Sequence, residues 1–167
     1  ELIRYFNSSE ELAEITVIKN GQLFILFNEK EVLHLKDVKD LVNLDYTALV
    51  LSSLYVLGFC AVYLALKPAE WRKLLHKFMF GSVLALLVIA MIGIIALMDF
   101  NWLFLQFHLI SFSNNLWLLD PATDYLIMMF PEGFWADAAL LVAGLTAGGA
   151  LLTGTASCIL ACRWKTG

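Results

Sequence analysis

Three long apolar runs constrain the fold of this chain more than any other feature of its sequence. Segments 46–66 and 78–98 hold 21 residues each and segment 138–162 holds 25, and none of the three contains Asp, Glu, Lys, Arg or His. A helix of about 20 apolar residues crosses the roughly 30 Å hydrocarbon core of a bilayer. The sequence therefore predicts a mainly α integral membrane protein with three transmembrane helices.

The composition of the chain supports a lipid environment. Of its 167 residues, 60% are hydrophobic and 16% are charged, and the mean hydropathy is +0.77, whereas soluble domains average about 45–50% apolar and about 25% charged residues. The formal net charge is -4, and the sequence has no basic stripe or tail. Because a nucleic-acid partner needs a basic surface, no nucleic-acid binding is predicted.

A fourth segment, residues 100–119, also lacks acids and bases but is too polar for a lipid-facing span. Unsatisfied polar groups are costly in hydrocarbon, so an interfacial or re-entrant segment that lines a pocket is expected here. Its polar residues are Asn101, Gln106, His108, Ser111, Ser113, Asn114 and Asn115.

The distribution of Lys and Arg predicts the orientation of the spans. Loop 67–77 carries four basic residues and tail 163–167 carries Arg163 and Lys165, whereas segment 99–137 carries none. Short loops rich in Lys and Arg stay in the cytoplasm. Loop and tail are therefore predicted to be cytoplasmic, and residues 1–45 and 99–137 extracytoplasmic.

The first extracytoplasmic segment, residues 1–45, shows a hairpin signal. Asn20 and Gly21 separate two β-prone runs, residues 15–18 and 23–27. An Asn-Gly pair between such runs favours a type I′ turn, because both positions need a positive φ. We therefore expect a small β-hairpin within a mainly helical chain.

A helix is predicted to follow the hairpin and to place His34 beside two acids. Asn28 with Glu31 three positions later is typical of a capping box, which begins a helix over residues 29–44 that continues into the first span. Residues three apart are neighbours on a helix, so Glu31 and Asp37 flank His34. These acids either serve the histidine or only cap and solvate the helix, and the sequence leaves both interpretations open.

The second extracytoplasmic segment places one imidazole, His108, among hydroxyls, amides and aromatic rings. Apolar walls with a few convergent polar groups are typical of a ligand pocket. Taken alone, this histidine could equally be a structural residue. The other polar candidates in the segment are Ser111, Ser113, Asn114, Asn115 and Trp117.

No pattern in the sequence indicates a metal or another cofactor. Cys60, Cys158 and Cys162 all lie in apolar runs, without a Cys-x-x-Cys pair and without a histidine at ligand spacing. Such cysteines usually behave as small hydrophobic residues. Palmitoylation or metal binding at Cys158 and Cys162 is the alternative.

Three strings, in this order, carry a family resemblance. They are His34-Leu35-Lys36-Asp37-Val38-Lys39-Asp40-Leu41 before a span, the segment 107–121, and Met129-Phe130-Pro131-Glu132-Gly133-Phe134. With the basic loop between them, they resemble the lipoprotein intramolecular transacylase of Gram-positive bacteria, usually called Lit, over roughly residues 28–137. The family is expected to have four spans, one more than the apolar runs found here.

The resemblance implies an acyl transfer at the outer face of the bacterial plasma membrane. The substrate would be a diacylglyceryl lipoprotein held in membrane lipid, and the sn-2 acyl chain would move to the amino group of the lipoprotein's N-terminal cysteine. The product would be the lyso-form lipoprotein, with no nucleotide, metal or other cofactor involved.

Acid–base chemistry fits that reaction, because an imidazole can take the proton of an attacking amine and return it to the leaving glyceryl oxygen. We expect His108 to be the main acid–base residue, and His34, oriented by Asp37, to be its partner or an alternative acyl acceptor. Candidates for oxyanion stabilisation or substrate binding are Glu31, Ser111, Ser113, Asn114, Asn115 and Trp117.

Two other functional classes are weighed against a transacylase. A membrane phospholipase or lipid acyltransferase would share the pocket, but its usual G-x-S-x-G elbow is missing from the sequence. A transporter normally has ionisable groups within its spans, which these runs lack. A non-catalytic membrane scaffold is the remaining alternative.

Overall fold

The computed structural model describes residues 1–163; Trp164 and Lys165 of the predicted cytoplasmic tail lie outside the described residues. The chain is mainly helical and has one small sheet. In chain order the elements are α1 (Leu2–Phe6), β1 (Thr16–Lys19), β2 (Gln22–Ile25), α2 (Glu29–Leu66), a 3₁₀ turn (Pro68–Glu70), α3 (Trp71–Met98), α4 (Phe100–Ser111), α5 (Tyr125–Met129) and α6 (Glu132–Arg163).

The chain forms two compact units. Among the described residues, the first unit consists of residues 1–50 and 104–134, and the second unit consists of residues 51–103 and 135–163. Both histidines of the predicted site belong to the first unit.

The predicted hairpin is present in the first unit. Strands β1 and β2 pair antiparallel, with Thr16 opposite Ile25 and Lys19 opposite Gln22. Asn20 and Gly21 connect them with φ values of 54° and 78°. Positive φ at both central positions is the requirement of a type I′ turn, and Asn and Gly meet it with the least strain.

Helix α2 begins at the predicted capping box and continues without a break for 38 residues. The Glu31 N–H donates to Asn28 Oδ1 at 3.0 Å, and the Asn28 N–H donates to Glu31 Oε2 at 2.8 Å. This reciprocal pair satisfies two backbone donors that a helix start would otherwise leave free. The same helix therefore carries His34 and the first apolar run.

A small hydrophobic core holds the hairpin and the short helices against the start of α2. Its buried members are Tyr5, Ala13, Ile15, Phe27, Leu35 and Leu126. Lys39 is also buried; its Nζ donates to the Glu10 carbonyl oxygen at 2.7 Å and lies 4.3 Å from the centre of the Tyr5 ring. These contacts give the amino-terminal segment a defined place on α2.

The described residues include three helices long and apolar enough to cross a membrane, as predicted. They are residues 29–66, 68–98 and 132–163. Most large apolar side chains on them are exposed in the isolated chain, as expected where lipid is the solvent. Helix α4 has only 12 residues, fewer than the roughly 20 that a span requires.

Close packing within the second unit occurs at one glycine of α6. A Cβ added at Gly154 would lie 3.1 Å from Ser82 Cβ on α3. Around Gly144 and Gly148 no described atom lies within 4 Å of such a Cβ. Of these three glycines, only Gly154 therefore permits a close helix approach within the described chain.

Candidate active site

The fold brings His34 of α2 and His108 of α4 together inside the first unit. Their ring centroids lie 6.2 Å apart with the planes inclined by 31°. The side chains are buried, with 7% of His34 and 9% of His108 exposed. Two histidines far apart in sequence therefore share one confined space.

Aromatic rings surround His108. The rings of Phe104, Phe107, Phe112 and Trp117 have centroids 4.4, 5.4, 5.7 and 5.0 Å from the His108 ring. Its Nδ1 lies 2.8 Å from the Phe104 carbonyl oxygen, one helical turn earlier. Because a carbonyl oxygen can only accept, Nδ1 carries the hydrogen and the lone pair of the neutral ring is on Nε2.

His34 sits in a less polar setting. Its Nδ1 is buried and has no hydrogen-bonding partner among residues 1–163, and its ring lies 5.2 Å from that of Phe112. Burial, assisted by the nearby His108, lowers the pKa of His34 to about 4, although Asp37 acts in the opposite direction. His34 is thus neutral at pH 7 and has an unused polar atom.

Asp37 does not orient His34 through a hydrogen bond in the described chain. Its Oδ2 instead accepts from Asn114 Nδ2 at 2.8 Å. The carboxylate influences His34 only through its charge. The expected acid–histidine contact is therefore replaced by a contact between α2 and the loop after α4, because the loop amide reaches the carboxylate directly.

Asn114 organises that loop. Its Oδ1 accepts from the Leu116 N–H at 3.0 Å, and its carbonyl oxygen accepts from Trp117 Nε1 at 2.8 Å. Trp117 in turn forms one wall around His108. Asn114 thus connects Asp37 to the aromatic enclosure, and its own amide is already engaged.

Glu31 is used by the backbone. It is 1% exposed, and besides capping α2 its Oε1 accepts from the Leu126 N–H at the start of α5, at 2.6 Å. Both carboxylate oxygens therefore hold backbone donors. Its position supports the capping interpretation of this acid.

An open cleft of about 270 Å³ adjoins the histidine pair through Phe112. The side chains of Ser111, Ser113 and Asn115 make no hydrogen bond within the part of the chain that the structure describes, and Ser113 and Asn115 are exposed. The residues that line the cleft are Asp37, Asp40, Leu41, Leu44, Ser111, Phe112, Ser113 and Asn114.

Three contributors were not singled out from the sequence: Phe104, Phe112 and Asp40. The spacing of Phe104 and His108, four residues apart on one helix, could have predicted their contact. Likewise, Asp40 lies three residues after Asp37 on α2. Phe112 is four residues after His108, which is the same spacing as that of Phe104 and His108, but nothing in the sequence pattern indicates that it also contacts His34.

No group of three or more His, Cys, Asp or Glu residues within residues 1–163 is arranged to hold a metal ion. The cysteines in this range are all free thiols. The polar groups that the described structure brings to the site include two imidazoles, one carboxylate pair, hydroxyls and amides.

Comparison with known proteins identifies the family. A family model described as lipoprotein intramolecular transacylase Lit matches residues 1–135. The structure is similar to that of the membrane integral lipoprotein intramolecular transacylase Lit from Bacillus cereus, with a TM-score of 0.74 and 25% sequence identity over 99% of this chain and 72% of that one.

An uncharacterized protein from Aquifex aeolicus is 30% identical over 130 residues, which are 77% of this chain and 54% of that protein. The chain thus matches about half the length of this relative. The family match covers most of the chain and includes both histidines, and the fold similarity covers nearly all of it. The chain is therefore a member of the lipoprotein intramolecular transacylase family.

Proposed function

We propose that the chain catalyses intramolecular transacylation of a diacylglyceryl lipoprotein. The acyl chain on the sn-2 oxygen moves to the amino group of the N-terminal cysteine, so that one ester bond breaks and one amide bond forms without consuming water. The observation that carries this proposal is the buried pair His34 and His108, with the Nε2 lone pair of His108 available as a base.

His108 performs the proton transfers in this proposal. Its Nε2 takes a proton from the attacking amine, the amine adds to the sn-2 carbonyl carbon, and the imidazolium returns the proton to the glyceryl oxygen as the C–O bond breaks. The Phe104 carbonyl fixes the tautomer and the ring direction throughout. An imidazole can act both as the base in the first step and as the acid in the second.

His34 is the partner of this base. Because its pKa is lowered to about 4, it stays neutral at pH 7 while His108 is transiently protonated. A neutral neighbour does not repel the imidazolium. The alternative role for His34 is that of a transient acyl acceptor.

The tetrahedral intermediate needs hydrogen-bond donors. Ser111, Ser113 and Asn115 are the candidates with no partner in the described chain, whereas Asn114 already donates to Asp37. Removing one such donor from an enzyme typically costs about 3–4 kcal/mol of transition-state stabilisation. Because donor ester and acceptor amine belong to one lipopeptide, the site mainly has to hold them at reacting distance.

The proposed setting is the outer face of the bacterial plasma membrane. The absence of Lys and Arg from segment 99–137 and the basic loop 67–77 support this orientation. A lipid-anchored substrate would then reach the histidine pair from the outer leaflet.

Histidine variants test the proposal. His108→Ala and His34→Ala are expected to lower the rate of lyso-form production from a synthetic diacylglyceryl lipopeptide by about 10²–10⁴-fold, because each removes a proton-transfer or positioning group. The product is measured by mass spectrometry as a shift of one acyl chain from glycerol to the cysteine nitrogen.

His76→Ala is a matched control. His76 also places Nδ1 against the carbonyl four residues earlier, at 2.7 Å from Arg72, but it is exposed and belongs to the second unit. Its rate should equal that of the wild type. Undiminished product from His108→Ala would remove that residue from the mechanism, and acyl release from plain phospholipid at a comparable rate would favour the phospholipase alternative.

A further inference from the structure

The charged residues that line the cleft beside the histidine pair are all acidic. Two carboxylates, Asp37 and Asp40, lie among its lining residues, and these include no lysine or arginine within the described chain. Leu41 and Leu44 line its other part, and Leu44 is two residues before the first apolar run. Asp40 also lines a neighbouring cleft with Lys36 and Lys39, and its charge is partly offset by Lys36. Asp37 is therefore the main anionic group of the cleft, which also has an apolar wall close to the predicted membrane boundary.

Asp37 is held in place through one of its two carboxylate oxygens. Its Oδ2 is fixed by Asn114, which is itself fixed by the Leu116 N–H and by Trp117. Its Oδ1 makes no hydrogen bond to any described residue. A second polar atom without a partner, Nδ1 of the 93% buried His34, belongs to the helical neighbour of Asp37. A carboxylate that is held in place and has one oxygen without a hydrogen bond is suited to a cationic ligand.

We propose that this cleft is the acceptor subsite of the transferase and that Asp37, assisted by Asp40, binds the substrate's N-terminal ammonium group. The inference rests on the proposed function and assigns a substrate-binding role to the two carboxylates. The ligand is a primary ammonium on a lipid-anchored chain, with its acyl groups against Leu41 and Leu44.

The chemistry of the acceptor supports this assignment. An α-ammonium has a pKa of about 7.7–8.0, so it is mostly charged at pH 7 and arrives as a cation. A carboxylate can hold this cation in the cleft until it releases one proton to solvent; the neutral amine then attacks, and His108 moves its second proton to the glyceryl oxygen. An N-acylated lipopeptide has no such charge, and the subsite therefore also distinguishes a substrate from an already acylated product.

The test uses lipopeptides in which an ether replaces the sn-2 ester, so that binding is measured without transfer. One probe has a free N-terminus and the other is N-acetylated. Wild-type protein in mixed micelles is expected to bind the free-amine probe about tenfold more tightly or better, as a charge-assisted hydrogen bond gives. Asp37→Asn, which can still accept from Asn114, should reduce this preference to less than about threefold.

Glu29→Gln is the control, because Glu29 is an exposed acid on the same helix and makes no contact with the cleft. It should keep the wild-type preference. Equal binding of both probes by the wild type would overturn the proposal. So would a preference that persists in Asp37→Asn and in Asp40→Asn.

Phosphatidylethanolamine supplies the other source of a lipid-borne ammonium. Competition by this phospholipid as strong as that by the free-amine probe would overturn the assignment to the lipopeptide acceptor. If the protein transfers the acyl chain of the ester substrate but does not prefer the free-amine probe, the acceptor-subsite proposal alone is wrong. If it prefers the free-amine probe but transfers no acyl chain, the subsite is supported and the proposed transacylase activity is wrong.

Discussion

The two units of the molecule bury different kinds of side chain. The first unit buries ionisable residues, including Glu31, His34, His108 and Asp124, beside its apolar core. In the second unit the buried residues among those described are Leu74, Ser82, Ser157 and Ala161, and none of them carries a charge.

This difference follows from the solvent of each unit. In the first unit buried and half-buried polar groups are joined by hydrogen bonds between residues far apart in sequence, for example Glu31 to Leu126 and Asp37 to Asn114. In the second unit threonine hydroxyls such as Thr146 and Thr153 donate to carbonyls of their own helix. Polar networks therefore specify the first unit, and small side chains set the helix approach in the second.

Glu31→Gln is expected to produce the largest loss of stability. The amide has one oxygen for two backbone donors, Asn28 N–H and Leu126 N–H, so one of them faces an NH₂ group. The cost is roughly 2–4 kcal/mol, since an unpaired buried donor costs about 1–3 and a charged hydrogen bond is also lost.

Hydrogen–deuterium exchange of the purified protein measures the effect of Glu31→Gln. Amides of residues 26–32 and 125–130 should lose protection while those of α6 do not. The exposed Glu29→Gln should change stability by less than about 0.5 kcal/mol. Uniform loss of protection in both units would break the distinction between them.

Lowering the pH is expected to reduce the stability of the first unit by an intermediate amount. The pKa of His34 is lowered to about 4 by burial, by His108 and by Lys30, with Asp37 opposing. Below an ordinary pKa of about 6.5 the unfolded chain binds a proton that the folded chain does not, so stability is full above pH 6.5 and falls toward pH 4. Allowing for screening, the loss is about 1–2 kcal/mol.

Exchange protection of α2 amides near His34, recorded from pH 7.5 to 4.5 with correction for intrinsic rates, checks this dependence. His34→Gln should remove most of the slope. The exposed His76→Gln should retain it. A His34→Gln profile as steep as that of the wild type would show that other groups control the acid sensitivity.

The smallest effect concerns helix approach in the second unit. Gly154→Ala places a Cβ 3.1 Å from Ser82 Cβ, and the resulting overpacking is expected to cost about 1 kcal/mol. Gly148→Ala meets no described atom within 4 Å and should be neutral. Thermal unfolding in detergent compares the two variants, and equal midpoints would show that the Ser82 contact sets no limit on packing.

Local signals account for the parts of the fold that were predicted. The apolar runs yield the three long helices, Asn20-Gly21 yields the hairpin turn, and Asn28 with Glu31 yields the start of α2. Each depends on residues within one element or one turn. The site was predicted less completely, because Phe104 and Phe112 of the aromatic enclosure were not identified and no local pattern indicates that Phe112 also contacts His34.

The sequence by itself determined the membrane class, the three apolar helices, the hairpin and which two histidines are candidate site residues. Only the tertiary structure decided that His34 and His108 face each other, that Asp37 bonds to Asn114 instead of His34, and that Glu31 serves two helix starts. The reason is physical: periodicity and capping act between near neighbours, whereas these contacts join segments whose meeting depends on how the core of the first unit packs.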